Sequence, residues 1–297
     1  MQSPTVRTAI FPVAGLGTRL LPATKSLPKE LLPIIDRPLI QFAIDEARAA
    51  GVERMVFVSH PSKSAIEHYV ANDTDLIETL RARGKARLVT MLEQDAIDPD
   101  EHEIVFVMQD APLGLGHAVA CAARHVLPGP VAVLLPDDLI LDGAGCLPEM
   151  AEAYARTGGH MVATMTVPRE AVSSYGVLDV AGRDGPLLRA RGMVEKPRAD
   201  RAPSTEAVVG RYILDASIFD DLAHQAPGAG GEIQLTDAIA AGIGRVGLHG
   251  FRFSGRRFDC GSKAGMLRAA LAIAQDDPEY SAVLDEFRVA PMLAAAE

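Results

Sequence analysis

The 297-residue chain predicts an α/β fold, and three observations carry that prediction. Short apolar, β-rich runs alternate with amphipathic helical stretches through the first half. One of those runs, PVAVLLPDD (130–138), is almost continuously apolar and ends in two carboxylates, as suits a strand covered by helices on both faces. After the helical stretch 147–158 the rhythm changes to strand following strand, so an antiparallel portion is expected there. The sum is a Rossmann-like, mixed and mostly parallel sheet flanked by helices, with a small antiparallel β portion.

The elements follow in order. TAIFPVA (8–14) reads as the first strand. PLIQFAIDEARAAG (38–51) is a helix, because Leu39, Ala43, Ala47 and Ala50 recur at helical spacing and Gly51 supplies a stop. RMVFVS (54–59) is a strand, followed by a helix near 62–72. ARLVTML (86–92) and EIVFVMQD (103–110) are strand candidates, and GHAVACAARHVL (116–127) is helical. HMVATMTVP, YGVLDVAG, LLRARGMVEKP and AVVGRYIL give the second-half strands, with helices after Asp215 and within GEIQLTDAIAAGI. RVGLHGFRFSG (245–255) adds strand, SKAGMLRAALAIAQ (262–275) is a helix and PEYSAVLDEF (278–287) a last one. Residues 1–275 form one predicted domain, and 276–297 a helical extension suited to oligomer contacts.

Bulk properties exclude several classes. Arg and Lys number 29 against 39 Asp and Glu, a formal charge of −10, so a general nucleic-acid surface is not expected. Cys121, Cys146 and Cys260 have neither paired nor C-x-x-C spacing, which indicates neither a disulfide framework nor a zinc site. No segment approaches about 18 uninterrupted apolar residues. The apolar run near the N-terminus is broken by Pro12 and Gly15 and makes a poor signal peptide. A cytoplasmic protein without membrane partners is the expectation.

The stretch VAGLGTRLLPATKSLPKELLPI (13–34) follows the first strand with two glycines. Gly15, Gly17 and Asp36 imitate a dinucleotide fingerprint, but position 20 is Leu, and the fingerprint needs a full helix after its glycines. Pro22, Pro28 and Pro33 each remove an amide donor and bias the preceding residue away from helix. Asp36 is therefore a decoy, and no Walker loop is present. What remains is a stiff extended loop carrying Arg19, Lys25, Lys29 and Arg37. Its glycines let backbone amides approach anionic oxygens, which suits a nucleoside triphosphate.

GLGTRLLPATKSLPKELLPIIDRPLIQ resembles the signature of the sugar-1-phosphate nucleotidyltransferases, in their uridylyl branch. The likeness continues through QDAPLGLGHAV, VLLPDDLILD, SSYGVLD, GMVEKP, AVVGRYIL, GAGGEIQLTDAI and FDCGSKAG, in the family's order, over residues 8 to about 275. It implies the GT-A-type nucleotidyltransferase fold and transfer of a uridylyl group from UTP to α-glucose 1-phosphate, with Mg²⁺ as cofactor. It also implies a homo-oligomer, dimer or tetramer.

By the same resemblance Ala14, Gly15 and Gly17 hold nucleotide, and Arg19 and Lys29 face the triphosphate. Glu30 matches the position near the base, Gln109 reads the uracil edge and Gly114 brings backbone to it. Asp137 and Asp259 become the magnesium ligands, with Asp138 supporting. Gly176, Glu195, Lys196 and Gly210 take the sugar phosphate, Lys196 bridging it to the α-phosphate. Strand alternation sets Glu195 and Lys196 on opposite faces unless the strand ends there, and Pro197 makes that end plausible. His117 reads as a structural helix-start histidine and Cys260 as a buried thiol. Arg256 and Arg257 are equally compatible with phosphate contact and with surface charge. A thymidylyl-transferring relative and a non-catalytic nucleotide-sugar binder remain the alternatives.

Overall fold

The computed structural model describes residues 5–71, 74–141 and 145–294. The ends of two expected segments, residue 72 of the helix near 62–72 and residue 142 of VLLPDDLILD, lie outside the described residues, as do the last three residues of the extension.

Strands β1 (Thr8–Pro12), β4 (Arg54–Ser59), β5 (Glu103–Met108) and β6 (Val131–Leu134) are the parallel half of a nine-stranded sheet. The other half contains β8 (His160–Thr166), β9 (Gly176–Asp184), β10 (Leu187–Glu195), β11 (Glu206–Leu214) and β12 (Leu248–Arg252). The order is β5-β4-β1-β6-β11-β8-β12-β10-β9. β11 runs antiparallel to both β6 and β8, and β10 antiparallel to both β12 and β9, while β12 and β8 are parallel. Two small ribbons lie off this sheet. One pairs β2 (Pro33–Ile34) with β3 (Arg37–Pro38), and the other pairs β7 (Asp138–Leu141) with β13 (Arg256–Asp259).

Strand alternation divides the core between the sheet's two faces. On β1, Ala9 and Phe11 point to one face and Ile10 to the other, and all three are fully buried. α1 (Leu39–Ala49) and α6 (Cys146–Thr157) cover the first face with Ile40, Ala43, Ile44, Met150 and Tyr154. There Phe11, Phe57 and Phe106 stack at centroid separations of 4.8 and 5.2 Å. α5 (Leu115–Cys121), α7 (Ile218–His224) and α8 (Leu235–Val246) cover the second face through Val119, Leu222, Leu235 and Ile239. Each large apolar side chain buried this way contributes about 1.5–3 kcal/mol.

One expected strand is a helix. Residues Ala86–Asp95 form α4, which packs on α3 (Thr74–Ala82) as a helical hairpin next to α2 (Ser64–Val70). Gly84 turns the chain at φ +68, its amide bonded to the Arg81 carbonyl, and Arg81 pairs with Glu93 across the hairpin. Val89 is the buried residue of α4 and Leu92 is half-buried, a spacing of three. RLVTML looked like a strand because it is rich in β-formers, but it covers only one shallow face. Boundaries also moved, notably at 130–138, where the strand ends at Leu134 and a separate β7 opens at Asp138. The helix expected over 116–127 ends at Cys121, and the strand expected from 245 begins at Leu248 because α8 continues to Val246.

α9 (Lys263–Asp276) and α10 (Pro278–Ala294) close the chain and pack on each other. Among the described residues no helix is long and apolar enough to cross a membrane.

Candidate active site

The loop after β1 does what its prolines require. It advances through three short 3₁₀ turns, Thr18–Leu20, Ala23–Lys25 and Lys29–Leu31, and never forms a longer helix. Gly17 sits at φ +66, and a Cβ there would press within 3.1–3.2 Å of Thr24 and Lys29 side-chain atoms, so the turn needs glycine. Thr24 locks it by donating its hydroxyl to the Gly17 carbonyl at 2.9 Å. A Cβ at Gly15 would meet only the Lys29 side chain, at 4.0 Å, and Ala14 is half-buried at the loop's root. Asp36 lies exposed in the two-residue turn between β2 and β3, away from any strand end of the main sheet, so it is indeed a decoy.

Beneath the loop lies an ion pair that the sequence did not announce. Glu30 is fully buried and accepts from Lys63 Nζ at 2.9 Å, and the same ammonium donates to the Val13 carbonyl at 2.6 Å. Burial pushes the Glu30 carboxyl up and the Lys63 ammonium down, each against its partner's attraction. The structure thus places Glu30 under the loop, where it ties both ends down.

Lys29 and Arg19 point the other way, toward the ends of β6 and β13. Lys29 Nζ donates to Asp137 Oδ2 at 2.6 Å. Burial would lower the lysine pKa, but Asp137 and Glu30 together outweigh it and hold the ammonium above its ordinary value. Burial likewise opposes ionisation of Asp137, and Lys29 reverses it, leaving that carboxyl below its usual range. Arg19 is mostly exposed and spans the two aspartates, 3.9 Å from Asp137 and 3.6 Å from Asp259. Both carboxylates converge over Gly261. A Cβ at Gly261 would strike the Arg19 guanidinium first and would lie 2.7 Å from Asp137 Oδ2 and 3.1 Å from Asp259 Oδ1.

Asp137 lies in the turn between β6 and β7, and Asp138, the first residue of β7, takes different partners. It is buried, accepting the Gly210 amide at 2.6 Å on one oxygen and the Arg257 guanidinium on the other. Burial raises its pKa against the pull of Arg257. Gly210 is glycine because a Cβ would strike Asp138 and Leu135 at 2.7 Å. Arg257 is therefore neither free nor on the surface, and Arg256 pairs with Asp276 at 2.5 Å. Cys260 lies in a small apolar cluster with Ile34, Leu39 and Leu139, and burial lifts its thiol pKa to about 12, which makes it no nucleophile.

β10 ends at Glu195, and Lys196 leaves the strand at φ +43 with its amide bonded to the Tyr175 carbonyl at 3.0 Å. That break brings both side chains to one side, Lys196 Nζ standing 3.3 Å from Glu195 Oε1. Thr236 donates its hydroxyl to Glu195 Oε2 at 2.6 Å. Gly176 is tightly enclosed by Met193, Glu195 and Thr236. These residues line a cavity of about 440 Å³ together with Arg19, Asp137, Gly210, Gln234, Arg257 and Asp259.

Gln109, Gly114, Glu30, Lys29 and the loop glycines are not part of that lining. Gln109 is buried past the end of β5, its amide nitrogen 3.2 Å from the Gly114 carbonyl and 3.0 Å from His117 Nδ1. That bond gives His117 a structural partner. Gly114 turns at φ +98 against Glu232 and Ile233, and the Leu113 carbonyl and Gly116 amide form a two-bond ladder with Ile233. The loop 109–116 is thereby clipped to the segment leading into α8, which carries Gln234 and Thr236. Tyr175, Gln234 and Thr236 were missed because single hydroxyls and amides at element ends carry no pattern in sequence.

The nucleotidyl transferase family model matches residues 9–276, nearly the whole of this fold. The chain belongs to the nucleotidyl transferase family. A UTP–glucose-1-phosphate uridylyltransferase of Komagataeibacter xylinus is 46% identical over 258 residues, 87% of this chain and 90% of that one. The UTP-bound UGPase of Acinetobacter baumannii superposes with a TM-score of 0.87 at 38% identity, over 96% of this chain and 99% of that one. A UDP-glucose pyrophosphorylase complexed with UDP-glucose gives 0.81 at 36% identity, over 92% and 100%. In this nucleotidyl transferase the family fold and the polar cavity coincide at the carboxyl ends of β1 and β6, where open α/β sheets place their ligands.

Proposed function

We propose that the protein transfers the uridylyl group of UTP to α-glucose 1-phosphate, releasing pyrophosphate and forming UDP-glucose. The observation that carries this reading is the set of side chains gathered at one cavity, Arg19, Asp137, Glu195, Lys196 and Asp259. The lining contains cations, carboxylates and hydroxyls but neither histidine nor cysteine. That is the inventory for moving a phosphoryl group whose attacking oxygen is already anionic, where alignment and charge neutralisation supply the rate. The names of the uridylyltransferase and UGPase relatives support the choice of UTP and glucose.

In the proposed step an oxygen of the sugar phosphate attacks the α-phosphorus of UTP. A new P–O bond forms, the bond to the bridging β-phosphate oxygen breaks, and pyrophosphate leaves opposite the attack. Lys196 holds the sugar phosphate beside the α-phosphate, and Glu195, fixed by Thr236, accepts from the sugar hydroxyls with the Gly176 and Gly210 backbone alongside. Arg19 and Lys29 neutralise the triphosphate along the loop of Ala14, Gly15 and Gly17. Gln109 and Gly114 occupy the base end, with Glu30 supporting the loop from below.

Asp137 and Asp259 are the proposed magnesium ligands. The fit rests on their convergence over Gly261, beside the exposed Arg19 guanidinium that now spans them. Among the described residues no group of three or more His, Cys, Asp or Glu could hold a metal, so phosphate oxygens and water would complete the shell, as hard magnesium prefers. Held by Asp137 and Asp259, magnesium would supply positive charge to neutralise phosphate oxygens.

We also place the protein in the cytoplasm as a homo-oligomer. The outer faces of α9 and α10 leave Leu267, Leu271, Val283 and Phe287 exposed, an apolar surface suited to a second copy. Light scattering should report a dimer or tetramer, and a monomer at micromolar concentration would remove this part.

Pyrophosphate release from UTP in the presence of glucose 1-phosphate and Mg²⁺ tests the activity, with dTTP in parallel. UTP is expected to turn over faster. A strong dTTP preference would transfer the reading to the thymidylyl branch, since the two bases differ by one methyl group. Nucleotide binding without turnover would favour a sensor.

A further inference from the structure

Arg257 lines the cavity, yet each of its three nitrogens already has a protein partner. Nε reaches Asp138 Oδ1 at 2.7 Å and Nη2 donates to the same oxygen. Nη1 lies 3.3 Å from the Tyr175 phenol, and the guanidinium carbon stands 5.6 Å from that ring's centroid. The side chain is 11% exposed, against 63% for Arg19 and 60% for Lys196. An arginine so engaged is poorly placed to clamp a phosphate directly.

What it joins is more informative. Arg257 and Asp259 share β13, and in the ribbon with β7 Asp259 stands opposite Asp138, the neighbour of Asp137. The Cys260 amide adds a bond to the Asp137 carbonyl at 2.8 Å. The ribbon therefore carries Asp259 and follows directly on Asp137, which the Cys260 amide holds by its carbonyl. Tyr175 belongs to the other half of the site. Its carbonyl holds the Lys196 amide at the point where φ turns positive, and Gly176 follows it.

We infer that Arg257 is a positioning residue that locks the β7–β13 ribbon, which bears Asp259 and follows directly on Asp137, to the Tyr175 turn bearing Lys196. It thereby sets the separation between the two carboxylates and the lysine. The inference rests on the transferase reading of this cavity. An arginine suits the task because its planar fork can satisfy a carboxylate, stack on a ring and reach a phenol at once. A lysine offers the charge without the plane.

The test uses the full chain with Arg257→Lys, Tyr175→Leu, the double variant and Tyr175→Phe. Misplacing reacting groups by about 1 Å costs about 100-fold in rate, so kcat for Arg257→Lys is expected to fall about 10- to 100-fold. The KM for UTP and the calorimetric affinity for UTP alone should stay within about threefold, because the loop and base end are untouched. Tyr175→Leu should lose about 10-fold, and the double variant no more than Arg257→Lys alone, since both break one network. Tyr175→Phe keeps the ring and should lose about threefold or less.

A kcat for Arg257→Lys within twofold of wild type would overturn the inference. So would a loss confined to the KM for glucose 1-phosphate, which would make Arg257 a direct phosphate contact. Additive losses in the double variant would also overturn it. A folded wild type that releases no pyrophosphate from UTP would overturn the transferase reading and this inference with it. An active wild type beside a fully active Arg257→Lys would overturn the inference alone.

Discussion

Two ion-pair clusters flank the end of β6, built from the same residue types and put to opposite ends. In the first, Arg211 donates to Glu46 Oε2 at 2.9 and 2.8 Å and to the carbonyls of Leu135 and Gly210 at 3.0 Å. Glu46 accepts the Leu147 amide on its other oxygen at 2.7 Å, and both side chains are almost wholly buried. In the second, Asp137 has one close cation, Lys29, while Arg19 hovers at 3.6–3.9 Å between two aspartates and faces solvent. The saturated cluster ties β11 to α1 and α6. The open one has charge left for a ligand. Burial and valence, more than residue type, separate scaffold from site.

Removing a member of the open cluster should cost activity and spare stability. Asp137→Ala and Lys196→Ala are each expected to lower pyrophosphate release by at least about 100-fold, the scale for losing a group that stabilises a transition state. Their urea unfolding midpoints should stay near wild type. Near-normal rates in either variant would remove that residue from the chemistry. Gly261→Ala attacks the same cluster through space alone. Its methyl group would crowd Arg19 and both carboxylates, so the expected result is a rate loss of about 10-fold or more and a higher Mg²⁺ requirement. An unchanged Mg²⁺ titration would dissociate Gly261 from the proposed metal site.

The saturated cluster should show the reverse. Glu46→Gln leaves Arg211 buried without its counter-charge, and such losses cost about 3–5 kcal/mol of stability. The folded fraction should keep far more activity than Asp137→Ala does. A third cluster, away from the cavity, calibrates the comparison by pH. Glu206 is buried, which opposes its ionisation, but Arg252 and Arg183 prevail and hold its pKa below the ordinary value. Its contribution is present above the unfolded carboxylate pKa and is lost as pH falls through the lower folded value. Glu206→Gln should therefore lower stability at neutral pH and flatten its decline between about pH 5 and 3. An unaltered acid limb would contradict that assignment.

Much of this was legible in the sequence because regular physics left periodic marks. The apolar run of β1, the helical spacing of α1 and the apolar core of 130–138 each prescribe an element, though the last strand stops at Leu134 and Asp138 opens β7. The prolines after Gly17 excluded a dinucleotide loop, and the structure has only single turns there. Where a residue's role depends on a distant partner, local pattern is silent. Lys63 looks like any helix-start lysine until Glu30 meets it across 33 positions. Arg257 stays ambiguous until Asp138 and Tyr175 enclose it. RLVTML misled because β-forming residues also suit a helix that buries one shallow stripe, and the Gly84 turn that decides the matter lies outside the run.

The most direct measurement is transfer of label from UTP carrying radioactive α-phosphorus to glucose 1-phosphate, in wild type and in Asp137→Asn, with unfolding midpoints recorded alongside. The wild type should place the label in UDP-glucose in the presence of Mg²⁺. Asp137→Asn should remain folded and lose at least about 100-fold of that transfer. Label transfer at a near wild-type rate in Asp137→Asn would contradict the claim that the open cluster carries the reaction.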